Sequence, residues 1–335
     1  MSQPLSNNNY TGNHRSGWLQ SVPDSALPFV QLARLSPPAG LFLIYFPHLF
    51  GLLLAAILND LAVSDVVYAS ALLFGASFFV SNAIHIWNDL IDAPLDAQVE
   101  RTCKRPIPRG AVSPKAAFYF TLSQAIGAVL FLPFIPGGFL YATLYALPGI
   151  LGWTYYPWAK RHTYYPQLVL GLCLSWGVVM GCLALNFPIL QVADDADSFR
   201  VRLEPSISCL FAASTLWTII YDTIYAHQDI VDDKKAGIKS LAVLYGAQTK
   251  PLLWQLLVAK TALLVMCGRL GEMSVVYYLF AVLGSAASLG VMIWKVDLAS
   301  NSSCWWWFGN GFWLAGGSIV GGLAMELVVW TNWLR

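Results

Sequence analysis

Long apolar runs dominate this chain, and they constrain its fold more than any other feature. Hydrophobic residues make up 57% of its 335 residues and charged residues only 11%, whereas about a quarter of the residues in a soluble domain are charged. A helix needs roughly 20 apolar residues to cross a bilayer. Runs of this kind predict an all-α integral membrane protein with nine transmembrane helices, at about 39–58, 66–87, 115–135, 139–158, 166–186, 206–227, 251–268, 273–295 and 305–330.

The positions of the basic residues support this count, because Lys and Arg concentrate in cytoplasmic loops next to the membrane. With nine spans and a cytoplasmic N-terminus, the inner segments hold 14 of the 19 basic residues: Arg15, Arg34, Arg101, Lys104, Arg105, Arg109, Lys115, Lys160, Arg161, Lys234, Lys235, Lys239, Lys250 and Lys295. The same topology places two acidic stretches on the cytoplasmic side.

These acidic stretches, residues 88–96 and 222–233, each follow an apolar run. Asn88, Asp92 and Asp96 are spaced four residues apart, as are Asp229 and Asp233, and residues at this spacing share one face of a helix. Mg²⁺ prefers oxygen ligands and typically joins one or two carboxylates to substrate phosphates. The two stretches therefore predict two Mg²⁺ ions with a diphosphate held between them.

A basic segment follows each acidic stretch. Arg101 and Arg105 lie after the first stretch, and Lys239 lies after the second. Carboxylates alone would repel a diphosphate, whereas Lys and Arg side chains donate charge-assisted hydrogen bonds to phosphate oxygens. The repeated order of acidic and then basic residues is the order that a metal-diphosphate site requires.

The two stretches and their flanks resemble the two signature motifs of the UbiA superfamily of intramembrane aromatic prenyltransferases. The resemblance rests on residues 88–96 with Arg105 and Pro106, and on residues 221–233 with 237–240, and it extends over about 30–330. Within the superfamily, the chain is similar to 4-hydroxybenzoate polyprenyltransferases and to fungal enzymes that farnesylate polyketide-derived phenols.

This resemblance implies a bundle of nine helices around a central cavity, with a cytoplasmic cap formed by two Asp-rich loops. It implies a membrane domain at 31–335, preceded by a disordered polar N-terminus at 1–30. The implied reaction is Mg²⁺-dependent prenyl transfer to a ring carbon. Asn88, Asp92 and Asp96 would hold one metal ion and Asp229 and Asp233 the other, while Arg101, Arg105, Lys160, Arg161 and Lys239 would either donate to the diphosphate or lock the loops around it.

Two further residues have alternative interpretations. Arg34, just before the first span, either pairs with a carboxylate of the acceptor or anchors the span as an inner flanking charge. Asp222 is a candidate general base, since prenylation of a ring requires loss of a proton, or it orients a metal ligand. Lys260, in the middle of a span, has no acidic residue nearby in sequence and is left without a role.

The expected substrates are farnesyl diphosphate and a phenolic acid of polyketide origin, as in meroterpenoid biosynthesis. The alternatives are a 4-hydroxybenzoate polyprenyltransferase of ubiquinone biosynthesis and, from another class, a transporter or non-catalytic scaffold. The polar N-terminal segment is poor in Arg, whereas a mitochondrial presequence is Arg-rich, so the endoplasmic reticulum is favoured over the mitochondrial inner membrane. A net charge of +1 gives no reason to expect nucleic-acid binding, and no obligate protein partner is inferred beyond contact with membrane lipid.

Overall fold

The computed structural model describes residues 11–59, 61–187, 189–195 and 198–333. Its N-terminal part contains a 3₁₀-helix at Gly17–Ser21 and helix α1 at Leu27–Leu32. The segment expected to be disordered at 1–30 is therefore partly helical from residue 17 onward, and its residues 1–10 lie outside the described part of the chain. Leu32 is fully buried against Ile86 and Ile107, and this contact ties α1 to the bundle.

Helices of 3 to 34 residues form most of the molecule. They are α2 (Ala39–Leu58), α3 (Val63–Asp96), α4 (Pro114–Val129), α5 (Gly138–His162), α6 (Pro166–Leu183), α7 (Pro205–Ala226), α8 (Ile230–Ala236), α9 (Leu241–Tyr245), α10 (Thr249–Leu270), α11 (Val275–Tyr277), α12 (Ser285–Lys295) and α13 (Asn301–Trp333). Short 3₁₀-helices occur at Leu132–Phe134, His227–Asp229 and Gly246–Gln248, and a π-helix at Tyr278–Gly284 joins α11 to α12.

In the described part of the chain, eight helical segments are long and apolar enough to cross a membrane. They are Ala39–Leu58, Val63–Asp96, Pro114–Phe134, Pro166–Leu183, Pro205–Ala236, Leu241–Leu270, Val275–Lys295 and Asn301–Val329. The remaining predicted span, 139–158, corresponds to α5. Its 25 residues give about 37 Å of helix at 1.5 Å per residue, but its composition is less apolar. The helical membrane architecture is confirmed, and the ninth span stays a prediction.

One element departs from the all-helical prediction. Between α6 and α7 lies an antiparallel hairpin of β1 (Leu190–Asp195) and β2 (Ser198–Leu203), with Leu190 opposite Leu203. The nine-span topology places this hairpin on the outer side, at the opposite end of the bundle from the acidic stretches.

The centre of the bundle is tightly packed where α2 crosses α6. A Cβ atom on Gly51 would lie 1.9 Å from the Val178 carbonyl oxygen, and one on Gly181 would lie 2.1 Å from the His48 carbonyl oxygen. Small residues at such crossings let two helix backbones approach closely in a membrane. A pocket lies at the end of the bundle that carries both acidic stretches.

Candidate active site

Both acidic stretches lie at the same end of the bundle, but their local structures differ. The first stretch is the last part of α3, which continues through Pro94 to Asp96. The second stretch is interrupted, because α7 ends at Ala226 and a 3₁₀-helix carries Asp229 before α8 carries Asp233. The first stretch is therefore one continuous helix, whereas a helix break precedes Asp229 in the second stretch; Asp229 and Asp233 nevertheless line the same pocket.

A pocket opens between these two stretches. Its wall includes most of the residues predicted for the site, namely Arg34, Asn88, Asp96, Arg101, Arg105, Lys160, Asp222, Asp229, Asp233 and Lys239. Asp92 and Arg161 are the two predicted site residues that do not line it. Asp92 is fully buried behind the wall.

The basic side chains neutralise the carboxylates of the first stretch. Arg105 Nη1 lies 2.8 Å from Asp96 Oδ2 and 3.1 Å from Asp89 Oδ1. Burial disfavours the charge on Arg105, but Asp89 and Asp96 outweigh that effect, so the pKa of its guanidinium is raised well above the ordinary value. Arg34 Nη2 lies 2.6 Å from Asp89 Oδ1. Asp89 thus holds two arginines at the pocket wall.

Lys160 and Arg161 reach the first stretch from the end of α5. Lys160 Nζ donates to Asp92 Oδ2, whereas Arg161 Nη2 donates to the Ile91 carbonyl oxygen at 2.8 Å. One side chain therefore meets a predicted metal ligand, and its neighbour ties α5 to the backbone of α3.

The loop after α3 is joined to the second stretch by Arg101. Its Nε and Nη2 donate to Asp229 Oδ1 and Oδ2 at 2.8 and 2.5 Å, and its Nη1 donates to the Tyr225 hydroxyl at 3.1 Å. Next to it, the Glu100 backbone N–H donates to Asp232 Oδ2 at 3.1 Å. Burial disfavours the charge on Arg101, but Tyr225 and Asp229 together raise its pKa.

Lys239 has a different set of contacts. Its backbone N–H donates to the Lys160 carbonyl oxygen at 2.9 Å, and its Nζ donates to the His162 carbonyl oxygen at 3.4 Å. In this structure, Lys239 and Arg161 contact backbone, while Arg101, Arg105 and Lys160 contact carboxylates. These contacts distinguish two groups within the basic set that the sequence left undivided.

The residues of the site fit Mg²⁺ in their chemistry. Asn88 Oδ1 and Asp92 Oδ1 are buried oxygen atoms that accept no hydrogen bond from any described residue, and oxygen is the ligand that Mg²⁺ prefers. Among the residues that the structure describes, no three His, Cys, Asp or Glu side chains form a ready-made metal cluster. In enzymes that act on phosphate-containing substrates, Mg²⁺ is usually bound by one or two carboxylates together with water and substrate phosphates. The oxygen atoms of this site are therefore enough to bind Mg²⁺ when a diphosphate is present.

Several residues of the pocket wall were missed in the sequence. Tyr156 and Gln167 line the pocket, as do His85 and the α13 residues Trp305 and Phe308. Gln167 Oε1 accepts a hydrogen bond from the Leu241 backbone N–H at 3.0 Å. Trp305 begins a run of three tryptophans, and a single sequence gives no signal that one of them lines a pocket.

Comparison with known proteins identifies the family of this chain. A model described as the UbiA prenyltransferase family matches residues 36–316. The chain belongs to this family. It is 34% identical over 281 residues to the mitochondrial 4-hydroxybenzoate polyprenyltransferase of Schizosaccharomyces pombe, covering 84% of this chain and 74% of that protein. It is 33% identical over 303 residues to the UbiA prenyltransferase claS of Ampulloclitocybe clavipes, covering 89% and 90%.

Solved structures of UbiA homologs share the fold. The apo structure of a homolog from Aeropyrum pernix K1 matches with a TM-score of 0.63 and 20% identity, over 85% of this chain and 97% of that chain. A homolog from Archaeoglobus fulgidus, bound to GPP and Mg²⁺, matches with a TM-score of 0.54 and 13% identity, over 91% and 99%.

The comparisons do not support the preference for the endoplasmic reticulum, because the UbiA relative from Schizosaccharomyces pombe is named as mitochondrial. The many apolar helices establish only that this UbiA protein is an integral membrane protein.

Proposed function

We propose that this chain is a Mg²⁺-dependent aromatic prenyltransferase that moves a farnesyl group from its diphosphate to a ring carbon of a phenolic acid of polyketide origin. The observation that carries the proposal is the convergence of two acidic stretches on one pocket, with Arg101, Arg105 and Lys160 each contacting a carboxylate there. Such an arrangement suits a substrate with several negative charges, because basic side chains and metal ions stabilise developing charge on phosphate oxygens.

The residues that would hold Mg²⁺ are Asn88, Asp92 and Asp96 at one position and Asp229 and Asp233 at the other. Bound Mg²⁺ supplies neutralisation of the charge that develops on the leaving diphosphate. Arg101 and Arg105 already lie between the two acidic stretches and can donate to phosphate oxygens. Their buried positions favour strong interaction with a charged group, because little water screens it.

The wall of the pocket changes from charged to apolar with depth. Ile44, Leu170 and Leu174 line the part that lies away from the carboxylates. An apolar wall excludes water, so that an allylic cation reacts with the aromatic ring before water captures it. Tyr225 and Trp305 also line the pocket, and the faces of aromatic rings attract cations.

Different residues are candidates for proton transfer and for binding of the acceptor. Asp222 lines the pocket on α7 and is proposed as the base that receives the ring proton. Arg34 lines the pocket close to α3 and is proposed to meet the carboxylate of the acceptor, while its present contact with Asp89 fixes its position.

A second candidate function is supported by the relatives. The matched protein from Schizosaccharomyces pombe is named a 4-hydroxybenzoate polyprenyltransferase, and the matched protein from Ampulloclitocybe clavipes is named only as a UbiA prenyltransferase. Their identities to this chain are similar, so 4-hydroxybenzoate with a polyprenyl donor is the alternative substrate pair.

Product analysis tests both proposals. Membranes that contain the expressed protein are given Mg²⁺ and diphosphates of increasing chain length, with either 4-hydroxybenzoate or an orsellinic-type acid. A farnesylated orsellinic-type product supports the first proposal, and a polyprenylated 4-hydroxybenzoate supports the second. Membranes with the Asp92→Ala variant are the control. If no acceptor is prenylated under any combination, the chain is not an aromatic prenyltransferase.

A further inference from the structure

We propose that a cleft between the ends of α10 and α12 binds an anionic phospholipid, with its phosphate at Lys250 and Lys295 and an acyl chain along the outer face of the two helices. The wall of this cleft, called the lysine cleft, consists of Gly246, Ala247 and Lys250 together with residues 294–299. It shares no residue with the active-site pocket. The inference is therefore independent of the substrates of that pocket.

The lysine cleft lies at the same end of the bundle as the active-site pocket. Helix α10 begins at Thr249, shortly after Ser240 of the pocket wall, and α13, which follows the cleft, supplies Trp305 to that wall. The distribution of basic residues predicts that this end faces the cytoplasm. Anionic lipids give the cytoplasmic leaflet a negative surface potential, and basic pockets between transmembrane helices on this side bind lipid headgroups. The position of the cleft therefore suits a lipid phosphate.

Two ammonium groups meet at one tryptophan in the cleft. Lys250 Nζ donates to the Trp294 carbonyl oxygen at 3.2 Å, and Lys295 Nζ lies 4.4 Å from the centre of the Trp294 ring. The salt bridges among the described residues all involve other cations. An ammonium group has three N–H donors, so both lysines retain donors for phosphate oxygens.

One carboxylate, that of Asp297, also lines the cleft. Its Oδ1 accepts a hydrogen bond from the Ala299 backbone N–H at 3.0 Å, and the Asp297 backbone N–H donates to Ser303 Oγ at 3.0 Å. These contacts hold the turn between α12 and α13. With two lysines and one aspartate, the wall carries a net positive charge, and such a wall attracts an anion.

A strip of exposed apolar side chains continues from the cleft along α10 and α12. Trp254 and Val258 lie on one face of α10, one and two turns after its lysine, and they are 43% and 68% exposed. On α12, Trp294 and Val291 are 67% and 47% exposed. The two helices are neighbours here, since a Cβ atom at Gly290 would lie 3.6 Å from Cη2 of Trp254.

This strip favours a phospholipid over a water-soluble phosphate. Tryptophan rings are enriched at the level of the lipid headgroups, and an acyl chain that lies along the strip covers its apolar surface. A soluble phosphate makes no contact with the strip. The lysines therefore account for the charge of the ligand, and the strip accounts for its chain.

The test measures the dissociation constants of three ligands by native mass spectrometry of the full-length protein in detergent. The ligands are phosphatidylglycerol, phosphatidylcholine and glycerol 3-phosphate. Phosphatidylglycerol is expected to bind at least about tenfold more tightly than phosphatidylcholine, because only its headgroup carries a net negative charge towards the lysines. It is also expected to bind at least about tenfold more tightly than glycerol 3-phosphate, which has no acyl chain to bury.

The combined variant Lys250→Gln and Lys295→Gln removes both charges, while each new side chain keeps an N–H donor. Binding of phosphatidylglycerol should weaken roughly fivefold for each charge removed, and so roughly 25-fold in this variant. Binding of phosphatidylcholine should change much less. If the combined variant does not fold, Lys295→Gln alone, at an exposed position, should give the fivefold effect.

The combined variant Lys104→Gln and Lys115→Gln is the matched control. Both lysines are exposed, are predicted to lie on the same side of the membrane and do not line the cleft. Their removal changes the net charge of the protein by the same amount. It should alter the affinity for phosphatidylglycerol by no more than about twofold, because exposed charges outside the cleft are screened by salt.

Three outcomes would overturn the inference. Equal affinities for phosphatidylglycerol and phosphatidylcholine would show that the cleft does not select an anionic headgroup. Equal affinities for phosphatidylglycerol and glycerol 3-phosphate would make it a site for soluble phosphate. Equal weakening in the cleft variant and the control variant would show that lipid responds only to the general surface charge. A preference for phosphatidylglycerol that is lost in the cleft variant alone supports the inference, whatever the outcome of the prenyl transfer assays.

Discussion

Arg101 and Asp229 form a two-pronged ion pair, with Nε and Nη2 of the arginine 2.8 and 2.5 Å from the two carboxylate oxygens. The two residues are 128 positions apart in the sequence. Their side chains are 8% and 14% exposed, so the pair is largely shielded from water. It joins the loop after α3 to the start of α8 and holds the two acidic stretches at one pocket.

Removal of either partner of this pair should destabilise the protein. Arg101→Gln or Asp229→Asn leaves a shielded polar group without its partner, and such changes typically cost about 3–5 kcal/mol. The double variant should lose less than the sum of the two, with a coupling of roughly 0.5–3 kcal/mol. Denaturation in detergent measures the free energy of unfolding of the two single variants and the double variant. The exposed pair Lys235 with Asp232 is the control, with an expected coupling of at most about 1 kcal/mol.

Both acidic stretches are expected to be required for Mg²⁺-dependent prenyl transfer. Asp92→Ala and Asp229→Ala should each abolish prenyl transfer while the protein stays inserted in the membrane, and EDTA should have the same effect on the wild-type protein. Asp65→Ala is the control, because Asp65 is exposed at the other end of the helix that carries Asp92. Transfer that persists in EDTA, or in both variants, would refute the two-metal proposal.

Arg105 is expected to act on the donor. Arg105→Ala should lower kcat/KM for the diphosphate and leave the KM of the acceptor nearly unchanged. The loss of one charge-assisted contact costs about 1.5–3 kcal/mol, which corresponds to roughly a ten- to hundredfold change. Lys104→Ala, at the exposed neighbouring position, should have little effect. Steady-state kinetics on purified, folded variants decide this, and an effect confined to the acceptor KM would assign Arg105 to the acceptor site.

Close packing at Gly40 is expected to be essential for the pocket wall. A Cβ atom at Gly40 would lie 2.0 Å from Cε1 of His85, and both residues line the pocket. Gly40→Ala should therefore lower the unfolding temperature and the activity, with a typical cost of about 1–3 kcal/mol for overpacking. At Gly317 nothing lies within 4 Å of an added Cβ, so Gly317→Ala should be neutral. Equal thermal stability of the two variants would show that the His85 ring adjusts without cost.

The crossing of the membrane by α5 is open to a direct test. In a background with Cys103 and Cys209 changed to serine, the four remaining cysteines are buried, and Pro133→Cys or His162→Cys places one exposed thiol before the start or at the last residue of α5. An impermeant reagent should label the thiol at 162 from the cytoplasmic face and the thiol at 133 from the other face, because the basic end of α5 is expected inside. Labelling of both from one face would show that α5 does not span.

Sequence patterns correctly predicted the features of this molecule that depend on local residue chemistry. Apolar runs predicted the helices, since every backbone group in lipid must be satisfied within the segment. Spacing of four residues placed Asn88, Asp92 and Asp96 on one helix face, and α3 extends through all three. The break in the second stretch was missed, because no Pro or Gly interrupts residues 222–233 to mark the 3₁₀ turn at Asp229.

Contacts between distant segments were beyond the reach of a single sequence. Nothing in the local pattern distinguishes Arg105, which meets Asp96, from Arg161, which meets a backbone carbonyl. Lys260 is a similar case. It is fully buried, and its Nζ lies 2.5 Å from Ser285 Oγ on another helix. Its partner is a hydroxyl group at the end of the π-helix, whereas a search of the sequence for acidic residues finds none nearby.

The ion pair of Arg101 with Asp229 also bears on how the protein is made. A chain is synthesised from its N-terminus, so Arg101 is in place long before Asp229 leaves the ribosome. When the second acidic stretch reaches the membrane surface, Arg101 has already been synthesised on the loop after α3. The second acidic stretch can therefore pair with Arg101 as soon as it is synthesised. This attraction between opposite charges can guide assembly of the later helices before the bundle is fully packed.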